Sequence, residues 1–116
     1  MVARPELPLL GEVEQLVLLA VLRLGDDEAY AVPIRDLILR ETAVDISRGT
    51  IYVTLERLER KGYVTSWFSE PQAVRGGKAR RHFRLKPPGV AAVRAAKRAV
   101  DRLAAGTILA TEGRKV

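Results

Sequence analysis

The chain has 116 residues, 47% of them apolar, and a net charge of +6 with an isoelectric point near 10.2, which fits one domain with a small core and an anionic partner. With no cysteine, disulfide frameworks and cysteine-ligated zinc or iron–sulfur sites are excluded, and the usage fits a reducing cytoplasm. The longest apolar run, Leu16 to Leu22, is far short of the ~20 residues that span a bilayer. Residues 1–6 lack the basic-then-apolar pattern of a secretory signal, so a cytoplasmic protein with no membrane partner is expected.

Leu9 to Leu24 is predicted as the first helix. Leu9, Val13, Leu16, Val17, Ala20 and Leu24 recur at helical spacing, and Leu18, Leu19, Val21 and Leu22 widen the stripe nearly all round. A helix apolar on two faces has room for two partners, its own core and a second subunit. The second helix is predicted from about Ala31, with Pro33 in its first turn, where the missing N–H costs nothing. Ile34, Leu37 and Ile38 form its buried stripe, and Arg35 and Asp36 lie outside. Thr42 to Ile46 is a turn, after which Ser47 is placed to cap a third helix through its hydroxyl. Ile51, Leu55 and Leu58 make that helix's buried face, while Arg48, Thr50, Tyr52 or Val53, Thr54 and Arg57 fall on or beside the exposed one. Gly62 stops it.

Tyr63 to Ser69 has strand composition, and Gly76-Gly77 is the turn of a hairpin. Arg81, Phe83 and Leu85 alternate with Arg80, His82 and Arg84, the period of a strand with one dry face. Lys86-Pro87-Pro88-Gly89 breaks the strand. The last helix is predicted from about Val90 to about Ala105, with Val93, Ala96, Val100 and Leu103 spaced as a seam for another helix. The expected fold is mainly α with a small β-hairpin (α+β): a winged helix-turn-helix over 1–86, and a C-terminal dimerisation helix and tail over 87–116. The dimer interface is expected from Leu9, Val13, Leu16 and Leu19 of the first helix and Val93, Ala96, Val100 and Leu103 of the last.

Charge is divided unevenly. Residues 1–46 hold 4 basic and 9 acidic side chains, whereas residues 75–102 hold 10 basic and 1 acidic. A local excess of this kind is either the footprint of a polyanion or a solvated, solubilising surface, and charge alone does not separate the two. Catalysis has little to stand on: the one histidine, His82, has no carboxylate or second ligand beside it in sequence and is expected to face solvent. Gly76-Gly77 opens no helix, so it is not a nucleotide cradle, and neither a metal nor a cofactor is implied. The third helix is the better candidate. Ser47, Arg48 and Thr50 surround Gly49 at a helix N-terminus that favours phosphate. Arg48, Thr50 and Thr54 carry donors able to reach base edges in a major groove, and Tyr52 and Arg57 suit phosphates. In the hairpin, Arg75, Gly76, Gly77, Lys78 and Arg80 make a basic turn suited to a minor groove or to flanking phosphates. The alternative is a winged helix used as a protein-interaction module, which would need neither Arg48 nor the wing cations.

Three segments together resemble the PadR family of bacterial transcriptional regulators: Ser47-Arg48-Gly49-Thr50-Ile51-Tyr52, Leu55-Glu56-Arg57-Leu58-Glu59-Arg60-Lys61-Gly62-Tyr63-Val64, and Gly76-Gly77-Lys78-Ala79-Arg80-Arg81-His82-Phe83-Arg84-Leu85. Ala29-Tyr30-Ala31-Val32 is similar to the family's start of the second helix. The resemblance covers Leu10 to about Leu103. It implies a homodimer held by the first and last helices, double-stranded DNA with a palindromic operator as partner, and repression of neighbouring genes. Members often sense small hydrophobic compounds near the dimer interface, so such an effector is a further possible partner. The chain departs from the family pattern at Leu85-Lys86-Pro87-Pro88-Gly89, where Leu-Thr usually precedes the last helix, and its single short C-terminal helix resembles the compact branch.

Overall fold

The computed structural model describes residues 10–69 and 79–111. In chain order these form α1 (Glu12–Leu24), α2 (Ala31–Thr42), α3 (Arg48–Arg60), β1 (Val64–Phe68), β2 (Arg81–Leu85), α4 (Pro87–Ala104) and a 3₁₀ turn, Ile108–Thr111. The two strands pair antiparallel with Ser66 opposite Phe83. Among the described residues, no helix is long and apolar enough to cross a membrane.

The core is the space between α1, α2, α3 and the hairpin. Val17, Leu18, Ile34, Ile51, Leu55, Leu58, Val64 and Phe83 are fully buried there. The stripes expected on α2 and α3 are the buried ones. The hairpin is tied in by its backbone as well, because the Phe83 N–H donates to the Ala29 carbonyl at 2.9 Å, between α1 and α2. α1 begins at Glu12 and not at Leu9; Leu9 itself lies outside the described residues. Glycine at position 11 offers no capping side chain, and Glu14 compensates by accepting the Gly11 N–H through Oε1 at 3.0 Å.

β2 corrects the expectation of one dry face. His82 is only 7% exposed, so it does not face solvent. Its ring stacks on Trp67 at 5.7 Å and meets Tyr30 at 5.2 Å, and Nδ1 lies 2.8 Å from the Asp26 carbonyl. Phe83 is buried on the opposite face. Both sides of the strand are covered because Tyr30 and the α1–α2 loop fold over its outer side.

α4 starts at Pro87, three residues before the expected position. Lys86 is the extended residue ahead of it, and Pro87 and Pro88 open the helix, where a fixed φ is already helical and no N–H is missed. The prolines that end the strand therefore begin the helix. Gly89 sits directly against the backbone of Tyr63, the residue before β1: a Cβ there would lie 2.1 Å from the Tyr63 carbonyl oxygen. The same carbonyl accepts the Lys86 N–H at 2.9 Å. Val93 and Ala96 are buried against the rest of the domain. The same seam then leaves it, with Val100 61% and Leu103 85% exposed.

Candidate nucleic-acid interface

The first turn of α3 is built as its sequence dictates. The Ser47 hydroxyl accepts the Thr50 N–H at 3.1 Å and donates to Thr50 Oγ1 at 3.0 Å. Both capacities of Ser47 are thus used within the turn. Thr50 keeps the hydrogen of its own hydroxyl, so it remains a donor toward whatever approaches. Arg48, Gly49 and Thr50 are exposed, as are Tyr52, Val53, Glu56 and Arg57. Among the described residues, no hydrogen bond or ion pair occupies the Arg48 guanidinium. A free cation beside a capped helix N-terminus is suited to an anionic or hydrogen-bonding partner.

Thr54 corrects the set of base-reading residues. It is 3% exposed because it stands three residues after Ile51 and four before Leu58, on the row that packs into the core. A side chain in that row cannot reach a base edge. Val53, one residue earlier, takes the outward position. It lines a shallow depression with Thr50, Arg57 and Val13 of α1, and Thr54 lies at the floor of the same depression.

Three polar clamps fix this helix. Arg35, expected to lie free on the outer face of α2, donates through Nε to the Ile46 carbonyl at 3.0 Å and through Nη2 to Asp45 at 2.6 Å. It holds the turn that leads into Ser47. At the other end of α3, Lys61 Nζ lies 2.8 Å from Glu14 Oε2 on α1. Burial pushes the Glu14 carboxyl up, but the Lys61 ammonium, the Gly11 N–H and the charge of Arg57 outweigh it and hold the group below its ordinary value. The third clamp joins α3 to the hairpin. Arg81 Nη2 lies 2.6 Å from Glu59 Oε1, and Ser66 Oγ links the two by donating to Glu59 at 2.8 Å and accepting from Arg81 Nε at 3.2 Å.

The wing's cations therefore divide. Arg81 is consumed by Glu59. Arg84 pairs with Asp26, the hydrogen bond holding that carboxyl below its ordinary range and raising the guanidinium above its own; it also lies 5.0 Å over the Trp67 ring. Arg80 is exposed, stacked 4.8 Å from the Tyr30 ring centre. Arg75, Gly76, Gly77 and Lys78 lie outside the described residues. The structural pairs are hidden from sequence because the partners are 47 residues apart for Glu14–Lys61 and 58 for Asp26–Arg84.

A three-helix unit with a solvent-facing second helix of the helix-turn-helix and an antiparallel hairpin beside it is a winged helix-turn-helix, a DNA-binding fold. The model of the transcriptional regulator PadR-like family matches residues 18–95, and the chain belongs to that family. The family is one of transcriptional regulators and is not enzymatic. A transcriptional regulator from Mycobacterium tuberculosis is 44% identical over 59 residues, which are 51% of this chain and 51% of that protein; the match thus spans about half the length of that relative. The structure is similar to that of a transcriptional regulator from Clostridium thermocellum, 22% identical with a TM-score of 0.68 over 88% of this chain and 93% of that one. It is also similar to the crystal structure of a PadR family transcription regulator from Clostridium difficile, 25% identical with a TM-score of 0.62 over 81% and 95% of the two chains.

Proposed function

We propose that the protein is a homodimeric repressor that binds a palindromic operator, with α3 in the major groove and the wing against the adjacent backbone. The observation that carries this reading is the first turn of α3: Arg48 and Thr50 are exposed with unused donors on a helix clamped at both ends. Arg48 and Thr50 contact base edges, Tyr52 and Arg57 hold phosphates, and Ser47 and Gly49 shape the turn so that the backbone comes close. Arg75, Lys78 and Arg80 grip the phosphates or the minor groove beside it. Residues 1–86 carry the DNA-reading domain, and residues 87–116 pair the subunits together with α1.

The dimer reading is supported by an apolar groove of about 380 Å³ between α1 and α4, lined by Leu19, Leu22, Val90, Val93 and Val100. Leu19 and Leu22 are exposed in the single chain. They stand beside the open end of the Val93–Leu103 seam, and a second copy would cover both. Val13 and Leu16 are half-buried against the subunit's own core, and their contribution to the dimer is at the edge. A small hydrophobic effector would enter this same groove between subunits. Two recognition helices related by the dimer axis would then sit about one helical turn apart, ~34–36 Å.

A gel shift against the region upstream of the protein's own coding sequence, repeated over a salt series, tests the reading. Specific retardation that weakens steeply with salt is expected. Equal, weak binding to every duplex would remove the operator, and no binding at all would restore the protein-interaction alternative.

A further inference from the structure

We propose that Val53 is a specificity-determining residue, and that it reads the C5-methyl group of one thymine in each half-site. The inference rests on α3 being the recognition helix. It names a base that the charged and hydroxyl side chains of that helix do not name.

Val53 is 55% exposed on the outer face of α3. Its neighbours along that face are polar: Thr50 one turn before it and Arg57 one turn after it, both exposed. Valine is a poorer helix former than alanine, lysine or glutamate because its branched Cβ is restricted against the preceding turn. Neither helix stability nor core packing accounts for it. Nor does the proposed subunit interface, since the residues lining the α1–α4 groove include none from α3. An exposed apolar side chain remains, next to Val13 of α1 and otherwise among hydrogen-bonding ones, on the surface that would face the groove.

The major groove offers one apolar feature among its base edges, the thymine methyl group. Cytosine presents an amino donor at the neighbouring ring position, and burying that donor against two valine methyl groups would leave it unpaired. Val53 therefore favours thymine over cytosine by contact on one side and by desolvation on the other. Three residues of helix rise about 4.5 Å, close to the step of about 3.4 Å between base pairs. With α3 lying along the groove, the Thr50 hydroxyl then meets the base pair next to that thymine. There its unused hydrogen requires an acceptor, such as guanine N7 or O6 or thymine O4.

The test uses the full chain and duplexes selected by it from a randomised pool. Each thymine of the selected consensus is replaced singly by deoxyuridine, which removes the methyl group and preserves pairing. Affinity is then measured for the wild type and for Val53→Ala. One thymine per half-site is expected whose demethylation weakens wild-type binding about fourfold, the factor for burying one methyl-sized group. The same change should leave Val53→Ala binding unaltered. If the wild type selects a consensus but no thymine shows this difference, the assignment of Val53 is overturned while α3 remains the reading helix. If no consensus is selected, the reading of α3 falls, and Val53 with it. Should Val53→Ala fail to fold by circular dichroism, Val53→Ser serves in its place, since it carries no methyl group to set against the thymine.

Discussion

Lys61, the residue that closes α3, places its ammonium 2.8 Å from Oε2 of Glu14, a largely buried carboxylate in the first turn of α1. The other oxygen of Glu14 accepts the Gly11 N–H. One side chain thus starts the first helix and anchors the end of α3.

Because folding lowers the Glu14 carboxyl below its ordinary value, the group takes up a proton less readily in the folded than in the unfolded chain. Its contribution to stability is complete above the ordinary carboxylate value and is lost as pH falls through the lowered, folded-state one. Glu14→Gln removes the charge, and a loss of about 1–2 kcal/mol at neutral pH is expected. Thermal melts of wild type and variant should differ at pH 7 and converge in acid. A gap that stays constant down to low pH would show that the ion pair contributes nothing.

The helix-turn-helix is legible in the sequence because its signals are local. Ser47 before Arg48-Gly49-Thr50, Gly62 after Lys61, and the 3.6-residue stripes of α2 and α3 each act within a turn or two. Thr54 is hard to place for a related reason: an amphipathic face has a boundary, and a residue one step from Leu55 falls on either side according to the rotation of the helix. Thr54 falls on the core side of that boundary and Val53 on the outer side. His82, Arg35, Arg81 and Arg84 escape sequence reasoning because their surroundings come from distant segments. No spacing rule brings Tyr30 and Asp26 over β2. The open half of the α4 seam is the converse case, since the heptad-like spacing is present and nothing among the described residues covers it.

Gly89 is required by close approach and not by an unusual φ. Alanine is the better helix former by about 1 kcal/mol, yet its Cβ would lie 2.1 Å from the Tyr63 oxygen, and the obstacle is backbone. Crowding of this kind costs about 1–3 kcal/mol, so the clash outweighs propensity. Gly89→Ala should lower the melting temperature and weaken dimerisation together, because α4 must move off β1. An unchanged melting curve would mean that α4 is not seated on Tyr63.

Ala43 ends α2 in the left-handed region, with φ 62° and ψ 11°. That conformation costs an L-residue about 1–2 kcal/mol, whereas glycine there loses about 0.5–1 kcal/mol of extra chain entropy on folding. Ala43→Gly should therefore stabilise the fold by about 0.5–1 kcal/mol in chemical denaturation, with operator affinity unchanged. A destabilised variant would place more weight on chain entropy than on the left-handed strain.

Leu103 is 85% exposed, so a charge there disturbs nothing inside the subunit. In a dimer packed along the Val93–Leu103 seam, it would bury an unpaired carboxylate. Leu103→Glu should shift the protein from dimer to monomer by light scattering while its circular dichroism spectrum is retained. A dimer that survives the change would take Leu103 out of the interface.

Arg48 and Lys78 test the proposed division between reading and gripping. The Arg48 guanidinium has no ion-pair or hydrogen-bond partner among the described residues, so its removal should not destabilise the fold. A bidentate contact from arginine to a guanine edge discriminates by about 1–3 kcal/mol per base. Arg48→Ala should therefore bind the operator roughly tenfold or more weakly, the factor that such a contact gives, and should flatten the preference at one position per half-site. Lys78→Ala should weaken binding to every duplex alike and make the salt dependence shallower by about one unit of slope for each phosphate the lysine had neutralised. Fluorescence anisotropy over a panel of single-base operator variants and a salt series reads both effects in one experiment. If Arg48→Ala keeps full discrimination and only the salt slope changes, Arg48 holds phosphate. Base reading then falls to Thr50 and its neighbours on the outer face of α3.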